Sequence, residues 1–143
     1  MKASILIVIL SLFIACSSEP EPLRYGKDSC YACKMTLMDK KFGAEIVTRK
    51  GKVYKFDDLN CMAGFYNSNF EEAGDIEHLL VIDFGKPESL IDARQAFYIE
   101  TTEIRTPMAS GIAAFSSEDV CVEHNAQWNG TLLKWSEVLA QFK

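Results

Sequence analysis

A short alternating segment that ends on an aromatic residue runs directly into a helix start at two places in this chain, and this pattern constrains the fold most. The two copies are Lys55-Phe56-Asp57-Asp58-Leu59 and Lys134-Trp135-Ser136-Glu137-Val138, each in the order basic, aromatic, cap, acidic, aliphatic. Asp and Ser are favoured helix N-caps, and Asp57 is the expected cap of the first helix. Met35 lies upstream of the first copy and Met108 upstream of the second. The sequence therefore predicts an α+β fold of two small related β/α halves, ββα-type units with antiparallel strands, packed together.

Alternation of β-branched and apolar residues predicts the strands, and apolar residues at helical spacing predict the helices. A glycine turn at residues 49–52 joins the first two strands, which predicts a hairpin. Asn129-Gly130 predicts a second turn, before the last strand. The predicted elements are strands at 43–48, 53–56, 79–83, 95–100, 111–115 and 131–135, and helices at 57 to about 69, 118 to about 127 (capped by Ser116 or Ser117) and 136–140.

The first fifteen residues form an export signal rather than part of the fold. A positive start at Met1-Lys2 precedes an apolar run at 5–14, which is shorter than the ~20 residues needed to span a bilayer. The run ends at Phe13-Ile14-Ala15-Cys16, which resembles the bacterial lipobox, so we expect residues 1–15 to be removed and Cys16 to be lipidated. An ordinary signal peptide cut near Ala15, leaving Cys16 as a free thiol, is the alternative.

The chain after Cys16 is predicted to be a tether followed by one domain. Residues 16–25 are acidic and proline-rich and should be extended. The domain then spans residues 26–143, with halves at about 26–83 and 95–143. Ser17 resembles an outer-membrane sorting signal, so we expect a lipid-anchored protein of the bacterial cell envelope, in the outer membrane and facing the periplasm. The nearby acidic residues are also similar to surface-export signals, which leaves the membrane face open.

Composition and motifs argue against nucleic-acid binding and against catalysis. The chain carries 15 basic and 20 acidic side chains, a net charge of −5, whereas nucleic-acid-binding domains are usually basic. The sequence contains no Gly-rich phosphate loop, nucleophile elbow or metalloprotease helix. The two histidines, His78 and His124, belong to no catalytic motif and are expected to be solvated. We therefore predict a protein that is not an enzyme and does not bind nucleic acid.

The segment that carries chemistry is Cys30-Tyr31-Ala32-Cys33-Lys34-Met35. Thiolates and thioethers are soft donors that select Cu(I) over hard cations. On an extended segment, side chains two residues apart project to the same side, so Cys33 and Met35 would chelate one ion. The spacing is compatible with a copper site.

Three other uses of these sulfur atoms remain open at this point. Cys30 and Cys33 fit an exported thiol-disulfide protein. Cys61 and Cys121 would complete a structural zinc site with them. Cys30–Cys33 or Cys61–Cys121 bridges would give a disulfide-stabilised binding module. The spacing of the cysteines alone favours a structural role and a metal-binding role of these sulfur atoms equally.

Three blocks together carry a family resemblance: Cys30-Tyr31-Ala32-Cys33-Lys34-Met35, Lys55-Phe56-Asp57-Asp58-Leu59-Asn60-Cys61, and Thr106-Pro107-Met108-Ala109-Ser110-Gly111-Ile112-Ala113-Ala114-Phe115. In this order they resemble the NosL-type copper-binding lipoproteins, accessory proteins of nitrous oxide reductase. The likeness runs from the lipobox to the C-terminus. The family's usual Cys-Gly-Met is Cys33-Lys34-Met35 in this chain.

The resemblance implies Cu(I) as the bound ion, with Cys33, Met35 and Met108 as ligands and Cys30 as an additional sulfur. It implies a lipid-anchored metallochaperone that delivers copper to nitrous oxide reductase through a membrane-associated assembly complex. Asp57 and Asp58 keep their expected role as a helix cap, and Cys61 is expected to be at least as suited to buried packing as to metal binding.

Overall fold

The computed structural model describes residues 18–70 and 73–143. The predicted signal peptide and the lipidation site at Cys16 lie outside the described residues. No helix in the described part of the chain is both long and apolar enough to cross a membrane. The elements in chain order are β1 (Ala44–Thr48), β2 (Val53–Phe56), α1 (Leu59–Asn69), a 3-10 turn (Ala73–Asp75), β3 (Ile76–Ile82), β4 (Leu90–Asp92), β5 (Phe97–Glu100), β6 (Ile112–Phe115), α2 (Glu118–Trp128), β7 (Thr131–Leu133) and α3 (Trp135–Gln141).

The strands form two antiparallel sheets, one of four strands in the order β2-β1-β3-β4 and one of three in the order β6-β5-β7. In the larger sheet β1 lies between β2 and β3, the strand that follows α1. In the smaller sheet β5 lies between β6 and β7, the strand that follows α2. The predicted α+β class and antiparallel strands are confirmed. The two sheets meet where Asp83, after β3, forms a parallel bridge with Ala114 of β6.

The topological repeat relates β1-β2-α1-β3 to β5-β6-α2-β7. The counterpart of Phe56-Asp57-Asp58-Leu59 is therefore Phe115-Ser116-Ser117-Glu118, in which an aromatic strand end and two polar residues also lead into an eleven-residue helix. The expected pairing with residues 134–138 is wrong, because that segment leads from β7 into α3. The shared sequence pattern therefore marks two strand-to-helix junctions that are not counterparts in the repeat.

The predicted strands and helices are confirmed with small shifts at their ends, and one strand was missed. The missed strand is β4, three residues at a sheet edge, which is too short to show alternation. Asp58, not Asp57, caps α1, since its side chain accepts a hydrogen bond from the Leu59 N–H at 2.7 Å. Ser117 occupies the cap position of α2, but its side chain makes no capping bond.

Alternation along β5 and β6 divides the apolar residues between two clusters. Ala114 faces the main core with Ile46 of β1, while Ile99 and Phe115 face a second cluster that contains Cys121 of α2. The main core therefore draws residues from both sheets, and α2 packs on the other face of the smaller sheet.

His124 packs in this second region and is not solvated as expected. Its ring lies 4.9 Å from that of Phe115 and 5.1 Å from that of Trp128, measured between centroids. Its Nδ1 atom is 2.9 Å from the Val120 carbonyl oxygen, one helical turn earlier. The side of α2 that carries His124 is thus partly buried by aromatic side chains.

Candidate metal centre

The segment around Cys30 and Cys33 is a closed loop held against β2. Ser29 and Thr36 pair as an isolated antiparallel bridge. Inside it, the Cys30 N–H donates to the Met35 carbonyl at 2.8 Å. The loop is attached to the sheet because the Tyr31 N–H donates to the Lys55 carbonyl at 2.7 Å. These main-chain bonds place both cysteines beside the end of β2 and the start of α1.

Lys34 turns the chain between Cys33 and Met35. Its φ of 67° lies in the left-handed region, which glycine adopts freely and other residues rarely do. The segment is therefore not extended, and the expected projection of the Cys33 and Met35 side chains to one side is wrong. Cys33 is partly buried, whereas Met35 is 52% exposed. The Lys34 ammonium lies 4.4 Å from the Tyr31 ring centroid, which holds the lysine over the loop.

Four potential ligand atoms converge at this point. One atom from each of Cys30, Cys33, Asp57 and Cys61 lies within 4.8 Å of all the others, and the described residues contain no second such group of three or more His, Cys, Asp or Glu side chains. Cys30 and Asp57 are 1% and 3% exposed. The Cys33 Sγ atom is 3.5 Å from both carboxyl oxygens of Asp57. We call these four residues the thiol cluster.

Two members of the thiol cluster lie at the start of α1, and the sequence did not favour either of them as a metal ligand. Asp57 was expected to cap the helix, and Cys61 was considered at least as suited to packing. The signal lay in the two adjacent acids, since only one can cap and Asp58 does so. Asp57 directly precedes the N-cap Asp58, and Cys61 lies in the first turn of α1.

Hydrogen bonding within the thiol cluster separates the pKa values of its thiols. The Cys61 thiol donates to Cys30 and, with the main-chain N–H groups of Cys33 and Asp57, lowers the pKa of Cys30 to about 6 despite burial. The same hydrogen bond, together with burial, raises the pKa of Cys61. Burial, with the neighbouring Cys30, also raises the pKa of Cys33. Cys30 is therefore the cysteine of the cluster that most readily forms the thiolate, the form that binds metals.

Met108 reaches this region from the other half of the chain. Its N–H donates to Asp58 Oδ2 at 2.8 Å, and its carbonyl accepts from Asn60 Nδ2 at 2.7 Å. Asp58 and Asn60 lie between Asp57 and Cys61 in the chain, so the Met108 loop lies against the turn that carries half of the thiol cluster. The Met108 side chain is partly buried. Ligation by Met108 and by Met35 stays a prediction.

Cys121 does not belong to the thiol cluster. It is 1% exposed in the second apolar cluster, where burial raises its pKa to about 11. All four cysteines in the described residues are free. A zinc site of four cysteines and a Cys61–Cys121 bridge are both excluded, because the fold places Cys121 behind the smaller sheet.

Comparisons with known proteins agree with this architecture. The crystal structure of the copper chaperone NosL from Shewanella denitrificans superimposes with a TM-score of 0.69 over 85% of this chain and 96% of that chain, at 20% sequence identity. No curated protein matches the sequence. The family model named NosL matches residues 24–142, which include the thiol cluster, the Met108 loop and both sheets. The resemblance seen in the three sequence blocks is thereby confirmed, and the chain belongs to the NosL family.

Proposed function

We propose that this protein is a Cu(I)-binding metallochaperone with no catalytic turnover. The observation that carries the proposal is the convergence of three cysteine sulfur atoms, from Cys30, Cys33 and Cys61, within one cluster. Soft sulfur donors favour Cu(I), whereas Ca²⁺ and Mg²⁺ require oxygen ligands. Membership of the NosL family and the similar fold of a copper chaperone support the same assignment.

The ligand set combines the cluster sulfurs with thioethers at its edge. Cys33 and Cys30 provide cysteine sulfur, and Cys61 lies within reach of the same ion. Met108 would close the site from the second half of the chain, and Met35 from the loop itself. Asp57 contributes negative charge and holds the Cys33 thiol in place through its carboxyl oxygens. A cation is thus favoured at a point where the chain's sulfur atoms are concentrated.

The exposure of the sulfur atoms is graded from the core to the surface, and this gradient suits transfer of the ion. Cys30 is 1% exposed, Cys33 is partly buried and Met35 is 52% exposed. Ligands of an acceptor would displace the outer sulfur first and the buried thiolate last. The ion would then remain bound to sulfur throughout the exchange.

The test is a Cu(I) competition titration of the full chain, purified in detergent under anaerobic and reducing conditions, against a chromophoric Cu(I) chelator. Cys33→Ser and Met108→Ala should each weaken Cu(I) binding by about tenfold or more. Met38→Ala is the matched methionine control, because Met38 is 71% exposed and outside the cluster. Cys121→Ala is the matched cysteine control. If both site variants bind Cu(I) as tightly as the parent, the proposed site is wrong.

The proposed acceptor is nitrous oxide reductase, reached through a membrane-associated assembly complex, with the carrier anchored through lipidated Cys16 in the outer membrane and facing the periplasm. Family membership and the residues around Cys16 support this part. Deleting the gene in a host that makes the reductase should lower the copper content of the purified reductase. A Cys16→Ser variant should move from the membrane fraction to the soluble fraction. If the copper content of the reductase is unchanged, another copper protein is the acceptor.

The thiol-disulfide alternative fits the geometry less well. The attacking cysteine of such a protein needs access to its partner, but Cys30, the thiol with the lowered pKa, is almost completely buried. Cys33 is followed by the left-handed Lys34 rather than by a helix. A reversible two-electron couple that tolerates Met108→Ala would favour this alternative over the copper site.

A further inference from the structure

The first residues of α1 make contacts on two sides. Asp57 and Cys61 belong to the thiol cluster, while Asp58 and Asn60 bind the loop that carries Met108. We propose that Asp58 and Asn60 are positioning residues that hold Met108 beside the thiol cluster, so that α1 assembles one Cu(I) site from both halves of the chain. This inference rests on the proposed Cu(I)-binding function.

The Asp58 carboxyl group performs two tasks at once. Its Oδ1 atom accepts the capping bond from the Leu59 N–H at 2.7 Å and also binds the Ser110 hydroxyl. Its Oδ2 atom accepts from the Met108 N–H at 2.8 Å and from the Ser110 N–H at 3.4 Å. Asp58 is only 1% exposed, so water competes little for these bonds. The helix cap and the Met108 loop, fifty residues away, are therefore fixed by one side chain.

Asn60 binds the main-chain carbonyl group of Met108, which Asp58 leaves free. Its Nδ2 group donates to the Met108 carbonyl at 2.7 Å, so both polar main-chain groups of Met108 are bound from one helix turn. The other amide atom, Asn60 Oδ1, is buried and has no hydrogen-bond partner among the described residues. An unpaired buried acceptor destabilises the folded state, and an apolar side chain would avoid this cost. This cost favours a role in placing Met108 over a role in stability alone.

The same helix offers a matched control. Asn67 Nδ2 donates to the carbonyls of Leu139 at 2.9 Å and Phe142 at 3.1 Å, and so joins α1 to the end of the chain without contacting the cluster. Asn60→Asp and Asn67→Asp are both isosteric, and each replaces the donating amide by an acceptor. The two variants remove the same kind of link at the two ends of α1.

The experiment measures Cu(I) affinity of the full chain by competition, alongside thermal unfolding, in a double-mutant cycle with Met108→Ala. Asn60→Asp should weaken Cu(I) binding by about 10- to 100-fold, as outer partners of metal ligands do. Asn67→Asp should lower the melting temperature and leave Cu(I) affinity unchanged. In the Met108→Ala background, Asn60→Asp should add no further loss, because its effect acts through Met108.

Asp58→Asn provides a second variant should Asn60→Asp fail to fold. Asn is a good N-cap but has one acceptor oxygen, so it cannot serve both Leu59 and Met108. If Asp58→Asn and Asn60→Asp fold and bind Cu(I) like the parent while Met108→Ala does not, the inference is wrong and the copper site stands. If Asn60→Asp lowers the Cu(I) affinity equally in the parent and in the Met108→Ala background, the inference is also overturned. A parent that binds no Cu(I) would overturn the proposed function and this inference together.

Discussion

Glu45 is a buried carboxyl group in the central strand of the larger sheet, and it should make the stability of the protein fall as pH rises. Its Oε1 atom accepts from the Glu21 N–H at 2.9 Å, while Oε2 is buried without a hydrogen-bond partner in the described residues. Lys55, opposite Glu45 on β2, instead binds Glu21 at 3.0 Å and Asp28 at 2.8 Å. Burial therefore dominates and raises the pKa of Glu45 to about 7 from its ordinary 4.5.

The sign and size of this pH effect follow from the ordinary pKa of Glu45 and its raised pKa in the folded chain. The folded chain binds the Glu45 proton more tightly than the unfolded chain, so the contribution of Glu45 to folding stability is fully present below about pH 4.5 and is lost as pH rises to about 7. The difference in pKa corresponds to about 3 kcal/mol of unfolding free energy. Asp28 titrates outside this window, because hydrogen bonds from Lys55 and Arg24 overcome its burial and lower its pKa to about 2.

Urea unfolding of the parent and of Glu45→Gln at pH 5 and pH 8 measures the effect. The parent should lose up to about 3 kcal/mol between the two pH values from this group, and Glu45→Gln should lack that part of the loss. Glu103→Gln is the control, since Glu103 is exposed and should leave the parent's pH response unchanged. An equal decline in the parent and in Glu45→Gln would refute the reasoning.

Two further substitutions test the packing around the smaller sheet. Gly130→Ala should destabilise the fold by about 1–3 kcal/mol in urea unfolding, because an added Cβ would clash with the Glu100 carbonyl oxygen and lie 2.7 Å from Ile99 Cγ2. A neutral effect would show that β7 approaches β5 less closely. Cys121→Ala should cost about 1–2 kcal/mol through lost packing, with Cu(I) affinity unchanged; weaker Cu(I) binding would contradict its placement outside the metal centre.

The architecture could be predicted from sequence because local patterns determine most of it. Alternation placed β1 and β2, and an aromatic residue followed by polar residues marked the start of α1. The repeat was assigned to the wrong partner because residues 134–138 follow the same local rule at a different junction. No local pattern could decide this, since the strand order depends on which strands pair across the sheets.

The candidate site was predictable only in part, for the same reason. Cys30 and Cys33 were selected by their spacing and by soft-donor chemistry. Cys61 and Asp57 join them only because the loop bonds to β2 and α1 begins where β2 ends, which is a tertiary contact between segments some thirty residues apart. Lys34 itself gives no signal for its left-handed turn, and the one indication is the glycine that the family usually has at this position.

The central claim is that one Cu(I) ion binds at the thiol cluster and is closed in by Met108. Anomalous diffraction at the copper edge, from crystals of the Cu(I)-loaded chain, locates the ion directly. The account predicts a peak within bonding distance of the sulfur atoms of Cys33 and Met108, beside Cys30 and Cys61. A peak elsewhere, such as at exposed Met38, or no peak among these sulfur atoms, would contradict it.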